Sequence, residues 1–339
     1  MSYEFRSWQA GDEDELLQIW GDPEGEQNGW YRQTLTPDRD GGVDELGRRV
    51  PWKRTMVAVD QGIPVAAGVV MEQQLHSSLL AAYVEVARDH RRQGLGTDLL
   101  EALRRAAAES APQGASGEPL TFSVKVDAGT TGEAFARARG MRVVQNSRVV
   151  LVEAGALALP RFPRAEGQAD EDAGSELVQD LATGSVELTD LVGHWYEASH
   201  QDWSPTGTLT PGATQRYFLA DATGAQGAIV LRGAPESAFG NTVRATKRGR
   251  IRAFAVSYGT YPGAAALEDP AAEVLLGWEP SLSRDDSVAA VRDLLALVAY
   301  QHPVVLEVED SLVALDAVVD PLIAAGTARV LRATQVLVG

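Results

Sequence analysis

The chain contains no cysteine, which excludes disulfide bonds, thiolate nucleophiles and cysteine-ligated metal sites. It also lacks any run of about 18 apolar residues, the length that a membrane-spanning helix requires. Glu4 and Arg6 interrupt the apolar run that a secretory signal would need near the first residue. We therefore expect a soluble, cytoplasmic protein without a membrane partner.

Basic residues are scarce: 30 Lys and Arg stand against 47 Asp and Glu, a formal net charge of −17. Such a charge repels phosphate backbones, so we expect no nucleic-acid partner. An acidic surface promotes solubility, and it also attracts cations, so the charge alone leaves both interpretations open. A local group of basic residues in this chain is an exception that needs an explanation.

The length of 339 residues and a hydrophobic content of 45% favour two globular domains. Strand and helix patterns alternate in the first half, which predicts an α/β fold. Residues 21–50 are predicted to be loop or short helix, with a weak helical pattern near 43–50. The remaining patterns predict strands at 3–8, 55–60, 65–74, 79–87, 120–126, 141–145 and 147–153, and helices at 12–20, 95–106 and 132–140.

Residues 154–174 lose this periodicity and collect Pro, Gly and acidic residues, a composition typical of a linker. Beyond it, "RVLRATQVLVG" at 329–339 aligns without a gap to "RVVQNSRVVLV" at 142–152. The preceding strand and helix patterns also recur in the same order, which indicates an internal duplication. We predict a first domain at 1–155, a linker at 156–174 and a second domain at 175–339.

The segment "VARDHRRQGLGTDLLEAL" (86–103) concentrates basic residues where a strand ends and a helix begins. A helix N-terminus has unpaired N–H groups and the positive end of the helix dipole, so it binds phosphate. Gly94 and Gly96 let the backbone approach the anion, while Arg91 and Arg92 add charged donors. The segment predicts a pyrophosphate site, although a tight turn with solvated arginines would use the same two glycines.

At these residues the chain resembles the GCN5-related N-acetyltransferase (GNAT) superfamily, whose signature is a strand, an R/Q-x-x-G-x-G/A turn and a helix. Residues 3–153 follow its strand and helix order. The duplicated layout resembles tandem GNAT members, among them mycothiol synthase-like actinobacterial proteins, and "DWSPTGTL" (202–209) is similar to a segment of those proteins. The resemblance implies two tandem GNAT-like domains, each a mixed central sheet flanked by helices.

The resemblance further implies acetyl-CoA or another acyl-CoA as co-substrate, bound by the first domain without a metal. Backbone groups at the strand end would meet the pantetheine and thioester, and the turn would hold the pyrophosphate. The implied cofactor-binding residues are Val84, Val86, Ala87, Arg88, Arg91, Arg92, Gln93, Gly94, Leu95, Gly96 and Thr97.

Acyl transfer to an amine needs a neutral amine, a polarised carbonyl and a proton for the leaving thiolate. Glu85 is the carboxylate nearest the implied thioester and is our candidate base; alternatively it faces solvent or the other side of the sheet. Tyr83, two residues earlier on the same face, is a candidate for substrate binding or an ordinary core aromatic. The family's helix tyrosine is replaced by Ala136, and Gly129 stands at its asparagine position, so the usual general acid is missing.

Two other segments suggest weaker sites. "HWYEASHQDW" (194–203) contains His194, His200 and Asp202, but the histidine spacing misses one helical face, so we expect an aromatic loop rather than a metal site. "RATKRGRIR" (244–252) is basic, yet no glycine pair or helix start accompanies it. A solvated hairpin or an ion-paired domain contact is the favoured interpretation there.

In the second half the corresponding turn reads "GWEPSLSRDDSV" (277–288), with two carboxylates where phosphates would lie. We expect no acyl-CoA there, and instead a degenerate domain that completes the acceptor site or forms an oligomer interface, such as that of a homodimer. The predicted activity is acetyl transfer to a primary amine on a small molecule. Acetylation of protein N-termini or lysines, and acyl-CoA sensing without turnover, are the alternatives.

Overall fold

A computed structural model of the chain describes residues 3–45, 48–113, 120–161, 177–233, 249–261 and 270–339. The chain forms two compact units, and each unit combines segments that are separated in the sequence. Unit 1 comprises Met1–Asn146, Trp203–Gly207 and Thr334–Gly339, and unit 2 comprises Ser147–Asp202 and Thr208–Ala333. The predicted domain boundaries remain a prediction, because most of the expected linker lies outside the described residues.

Unit 1 contains the elements that the first half of the sequence predicts. A 3₁₀ turn at Arg88–His90 follows its fourth strand. The elements are β1 (Glu4–Ser7), α1 (Asp12–Trp20), α2 (Glu26–Arg32), β2 (Lys53–Asp60), β3 (Ile63–Glu72), β4 (Leu79–Val86), α3 (Leu95–Ser110), β5 (Thr121–Asp127), α4 (Thr131–Ala138) and the start of β6 (Arg142–Val152).

The sheet of unit 1 has the strand order β1-β2-β3-β4-β5. Its first four strands pair antiparallel, β4 and β5 pair parallel, and residues Thr334–Val338 pair antiparallel with β5. The apolar side chains of α3, Leu95, Leu99 and Leu103, are buried against one face of the sheet. Leu16 of α1 packs on the other face against the cluster of Val57 and Val69.

Unit 2 repeats the order of unit 1, element by element. It includes a π-helical turn at Gln215–Leu219 and a 3₁₀ turn at Asp221–Thr223. The elements are β7 (Val178–Leu181), α5 (Val186–His200), α6 (Pro211–Thr214), β8 (Gly227–Arg232), β9 (Ile251–Thr260), β10 (Ala272–Trp278), α7 (Arg284–Val298), β11 (Val304–Glu309), α8 (Val313–Ala325) and the start of β12 (Ala328–Val338).

The sheet of unit 2 has the order β7-β8-β9-β10-β11, and residues Ser147–Val152 of β6 pair antiparallel with β11. As in unit 1, the only parallel pair described in this sheet joins the fourth and fifth strands, β10 and β11. The shared order of elements and the matching pairings are what a duplication produces. The predicted α/β class, with a mixed sheet flanked by helices in each half, is confirmed.

The structure corrects the prediction of two strands at 141–153, because residues 142–152 form the single strand β6. The polar sequence Gln145-Asn146-Ser147 suggested a turn. Instead, Asn146 accepts a hydrogen bond from Gln335 at 3.0 Å, and Ser147 donates one to Glu307 at 2.6 Å. These polar side chains therefore have partners within an extended strand.

Three further expectations have different outcomes. The short helix allowed within 21–50 is α2, whereas near 43–50 the described residues form only a β-bridge between Val43 and Arg49. No helix among the described parts of the chain is long and apolar enough to cross a membrane. The basic segment at 244–252 lies largely outside those parts, so its interpretation stays open.

Candidate functional site

An opening between two parallel strands marks the candidate site in unit 1. Strands β4 and β5 pair only where Leu79, Leu80 and Ala81 lie opposite Thr121, Phe122 and Ser123. Both strands are fully described, and beyond Ala81 no residue of β4 pairs with β5. Ligands of open α/β sheets bind at the carboxyl ends of such strands. We call the space beyond Ala81 and Ser123 the β4–β5 opening.

The turn that follows β4 has the backbone that an anion site requires. Gly94 is the N-cap of α3 with a φ of 90°, and no side chain caps the helix there. The N–H groups of Thr97 and Asp98 donate to the carbonyl of Gly94 at 2.8 and 3.1 Å. Those of Leu95 and Gly96 precede them in the first turn and have no intrahelical acceptor. They are therefore positioned to bind an anion.

Gly96 lies between α4 and the end of β4. A Cβ at this position would lie 3.5 Å from the ring of Phe135 and 3.5 Å from Val86, which is ordinary van der Waals contact. A longer side chain would fill the space between the turn and α4. Leu95, by contrast, is buried in the core, so only its backbone can contribute to binding.

The arginines of the turn are placed differently from one another. Arg92 is exposed and adopts a left-handed φ of 64°, which is uncommon for a residue other than glycine. Arg91 donates from Nε to the carbonyl of Val86 at 2.9 Å and from Nη1 to the carboxylate of Glu24. Arg91 therefore lies over the end of β4, beside the opening, and is already engaged by protein groups.

A third cationic side chain joins the turn from α4. Arg139, at the C-terminal end of that helix, donates to the hydroxyl of Thr97 at 3.3 Å. Together with exposed Arg88 and Arg92 it places three guanidinium groups near the α3 N-terminus, against the single carboxylate of Asp98 in the first turn, in a chain of net charge −17. The donors present fit a pyrophosphate, which accepts hydrogen bonds from backbone amides and guanidinium groups alike.

Glu85 and Tyr83 lie together on β4, but they belong to a buried network rather than an open one. Arg32 of α2 donates to both carboxylate oxygens of Glu85, from Nε at 2.8 Å and from Nη2 at 2.7 Å. The hydroxyl of Tyr83 donates to Oε2 of Glu85 at 2.5 Å. Glu85 is 5% exposed, and its partners Arg32 and Tyr83 lie on the α1–α2 side of the sheet, so it faces neither solvent nor α3.

The charges within this network are stabilised by one another. The hydrogen bond to Glu85 raises the pKa of Arg32, so the guanidinium stays charged. Burial and the neighbouring Glu85 carboxylate raise the pKa of Tyr83 well above its usual value, so the phenol stays protonated. Three donors occupy three of the roughly four lone-pair positions of Glu85. The arrangement holds Glu85 firmly and leaves one oxygen position for substrate or water.

Tyr31 of α2 reaches across the β4–β5 opening. Its ring stacks on Tyr83 of β4, with centroids 5.1 Å apart and an interplanar angle of 9°. Its phenol is hydrogen-bonded to the backbone of Lys125 in β5, and burial raises its pKa to about 12. Helix α2 therefore places the ring of Tyr31 along the opening, on the side opposite α3.

Gly129 and Ala136, at the positions where the family has an asparagine and a tyrosine, supply no general acid. Ala136 is 3% exposed and packs in the core with Leu80 and Phe122. Gly129 has a left-handed φ of 78°, and its N–H donates to Glu133 at 2.7 Å. A tyrosine at position 136 would have to fit within the packed core, so this helix contributes no phenol to the opening.

The corresponding turn of unit 2 differs in its helix cap. Ser283 is the N-cap of α7, and its hydroxyl accepts a hydrogen bond from the N–H of Asp286 at 3.2 Å. Asp285 and Asp286 lie in the first helical turn. A capped and acidic helix N-terminus disfavours a second pyrophosphate, but the expectation of a single acyl-CoA site remains a prediction.

The expected aromatic loop at 194–203 is wrong, because residues Val186–His200 form helix α5. His194 is exposed, whereas buried His200 hydrogen-bonds through Nδ1 to the carbonyl of Tyr196 at 2.8 Å. No group of His, Asp and Glu among the residues that the structure describes could hold a metal ion. The mixture of aromatic and polar residues in this segment obscures the periodicity of a helix, so the sequence pattern suggested a loop.

The sequence did not identify Arg32, Glu24, Tyr31 or Arg139 as members of the site. Residues 24–32 stand in a stretch rich in Gly and charged residues, where no periodic pattern drew attention to them. Arg139 carried the one available signal, since basic residues precede Gly140 at the end of a predicted helix. Their roles depend on partners that are distant in sequence.

Comparisons with known proteins bear on the fold. No protein-family model matches the sequence, and no curated protein matches it. Solved structures do match. A GCN5-related N-acetyltransferase from Sphaerobacter thermophilus shares 15% identity at a TM-score of 0.52, covering 99% of this chain and 95% of that one.

A tandem GNAT protein from the clavulanic acid biosynthesis pathway matches over 100% of this chain and 98% of that chain, with 12% identity and a TM-score of 0.51. At such identities the likeness shows the fold alone. The chain therefore has the tandem GNAT fold over its whole length.

Proposed function

We propose that the chain is an N-acetyltransferase that moves an acetyl group from acetyl-CoA to a primary amine on a small molecule. One observation carries this proposal: the uncapped N-terminus of α3, surrounded by arginines, adjoins the β4–β5 opening in a GNAT fold. An anion site beside an unpaired strand edge suits a ligand with a pyrophosphate and a long amide-bearing arm.

The residues of unit 1 supply groups for each part of such a ligand. The N–H groups of Leu95 and Gly96, with the side chains of Arg92 and Arg139, would bind the pyrophosphate. The unpaired edge of β4 from Val84 to Ala87 would bind the pantetheine amides, as an added strand binds a sheet edge. Acetyl-CoA would bring an activated acyl group to the opening.

Residues near the opening would orient the acceptor amine and accept a proton from it. Tyr83, kept protonated, and Glu85, paired with Arg32, present a fixed polar surface beside the aromatic ring of Tyr31. Glu85 as general base remains our proposal, acting through its remaining oxygen position or through water. Because α4 offers no phenol, solvent would protonate the departing thiolate.

The acceptor class follows from charge. A net charge of −17 favours a cationic amine over an anionic substrate. Acetylation of protein N-termini or lysines is the alternative within the same reaction class.

One specific observation supports the non-catalytic alternative, in which the chain binds acyl-CoA without turnover. Three donors already hold the carboxylate of Glu85, the candidate base. Ala136 stands in the core where the family's tyrosine would supply the acid, so that acid is absent. A protein that binds acyl-CoA without turnover needs no such groups.

Detection of free CoA thiol with DTNB, across a panel of amines, separates these functions. Release of thiol that depends on one class of amine identifies the enzyme and its acceptor. Peptide-dependent release would favour protein acetylation. Binding of acetyl-CoA without thiol release by any acceptor would establish a sensing role and refute the proposed activity.

A further inference from the structure

The loop between α1 and α2 carries a carboxylate that bridges the two sides of the β4–β5 opening. Glu24 accepts a hydrogen bond from Arg91, in the turn after β4. It also accepts one from the hydroxyl of Thr131 at 2.8 Å, at the start of α4 after β5. The hydrogen bond from Arg91 lowers the pKa of Glu24, so the carboxylate is ionised.

The first turn of α2, which follows this loop, is hydrogen-bonded to the end of β5. The N–H of Gln27 donates to Oδ2 of Asp127 at 3.4 Å. Gly25 lies so close that a Cβ there would stand 2.1 Å from the same oxygen, so a larger residue would displace the Asp127 side chain. We call residues 21–27 the strap. It passes over the turns that follow both strands of the opening.

The partners of Glu24 are those that a phosphate oxygen would use. Arg91 has its Nε on the carbonyl of Val86 and an Nη on Glu24, so its guanidinium is engaged by the protein at the end of β4. A carboxylate and a phosphate are both anionic acceptors of guanidinium and hydroxyl donors. Two anions cannot share this guanidinium without repulsion.

We propose that Glu24 is a built-in competitor for the phosphate of acyl-CoA, so that binding of the cofactor breaks the Glu24–Arg91 contact and releases the strap. The inference rests on the proposed function and assigns to unit 1 a residue that sets cofactor affinity. The strap runs directly into α2, which carries Tyr31 and Arg32, so its release would link cofactor binding to access for the acceptor. Thr131 holds Glu24 in place and shares this role.

Isothermal titration of acetyl-CoA into the full chain tests the competition. Glu24→Gln removes the charge and keeps the shape, so we expect its Kd to fall by about fivefold or more, the effect of losing an ion pair of about 1 kcal/mol. Glu13→Gln, an exposed carboxylate on α1, controls for net charge and should change the Kd less than about twofold. Thr131→Val should shift it in the same direction as Glu24→Gln.

Hydrogen exchange gives a second reading that does not depend on turnover. Saturating acetyl-CoA should speed exchange of the backbone amides of residues 22 and 24–27 in the wild-type chain while protecting those at 94–97. An unchanged or weaker affinity in Glu24→Gln, or protection of the strap by acetyl-CoA, overturns the inference and leaves the proposed function standing. Absence of acetyl-CoA binding in both wild type and variant refutes the proposed function and the inference together.

Discussion

Replacing Glu85 by glutamine perturbs the buried ion pair that fastens α2 to β4. The side chains of Arg32 and Glu85 are 9% and 4% exposed, and their shortest contact is 2.7 Å. Glutamine keeps the shape and one acceptor oxygen, but it leaves the guanidinium of Arg32 buried without a counter-charge. The guanidinium cannot lose its proton, so the cost falls on the folded state.

The magnitude follows from the burial of the pair. Removing one partner of a buried ion pair destabilises a protein by about 3–5 kcal/mol. The retained acceptor places Glu85→Gln near the lower end, so we expect a loss of about 3 kcal/mol. For a unit of this size the midpoint of thermal unfolding should fall by about 6 °C or more.

Thermal and urea unfolding of the full chain, followed by circular dichroism, measures this loss. Asp40→Asn is the matched control, because Asp40 is 92% exposed and pairs with Arg54 at 2.8 Å. An exposed pair contributes about 1 kcal/mol or less. The double variant Arg32→Met with Glu85→Met should lose less than the sum of its single variants, since both charges leave together.

The same variant separates a base from a positioning residue. Glu85→Gln should leave the affinity for acetyl-CoA within about twofold and lower turnover, because a base acts on the amine and not on the cofactor. Loss of the acidic limb of the pH–rate profile identifies a base, and a lower rate with an unchanged profile identifies positioning. Stability equal to that of Asp40→Asn would refute the buried pair, and wild-type turnover would remove Glu85 from the mechanism.

Three other predictions concern the cofactor turn, the second unit and a buried lysine. Arg91→Glu or Gly96→Glu should weaken acetyl-CoA binding about 10-fold or more with normal far-UV circular dichroism, and unchanged affinity would contradict the turn as the anion site. Calorimetry of the full chain should give one acetyl-CoA per chain; a stoichiometry near two would reveal a site in unit 2. Burial lowers the pKa of Lys53 from 10.5 to about 8. Between pH 8 and pH 10.5 the folded chain therefore binds fewer protons than the unfolded chain, so the free energy of unfolding should rise with pH over this range. Lys53→Met should abolish that rise in urea midpoints, and a rise of equal size in the variant would assign it to other groups.

The turn after β4 shows how far local sequence can predict a site. Its glycines, its arginines and the apolar stripe of α3 lie within about 20 residues, and each acts through the backbone or dipole of its own segment. A candidate anion site could therefore be proposed from residues 86–103 alone. The duplication was visible for the same reason, since each half repeats its own local patterns.

The strand β6 shows where local patterns mislead. Gln145, Asn146 and Ser147 are all extended within β6, and Asn146 and Ser147 have hydrogen-bond partners on distant strands, Gln335 and Glu307. Likewise the aromatic and polar residues of α5 obscured a helix. Partners supplied by tertiary structure override local propensity in both segments.

By itself, the sequence determined the α/β alternation, the repeat, the acidic charge and the position of the candidate phosphate turn, because these depend on neighbours along the chain. Only the tertiary structure decided that Arg32 holds Glu85 across 53 residues and that Glu24 holds Arg91 across 67 residues. It also decided that β4 and β5 separate after Ala81. Such contacts arise when strands pair and helices pack, and the energy of a buried charge selects its partner in space rather than in sequence.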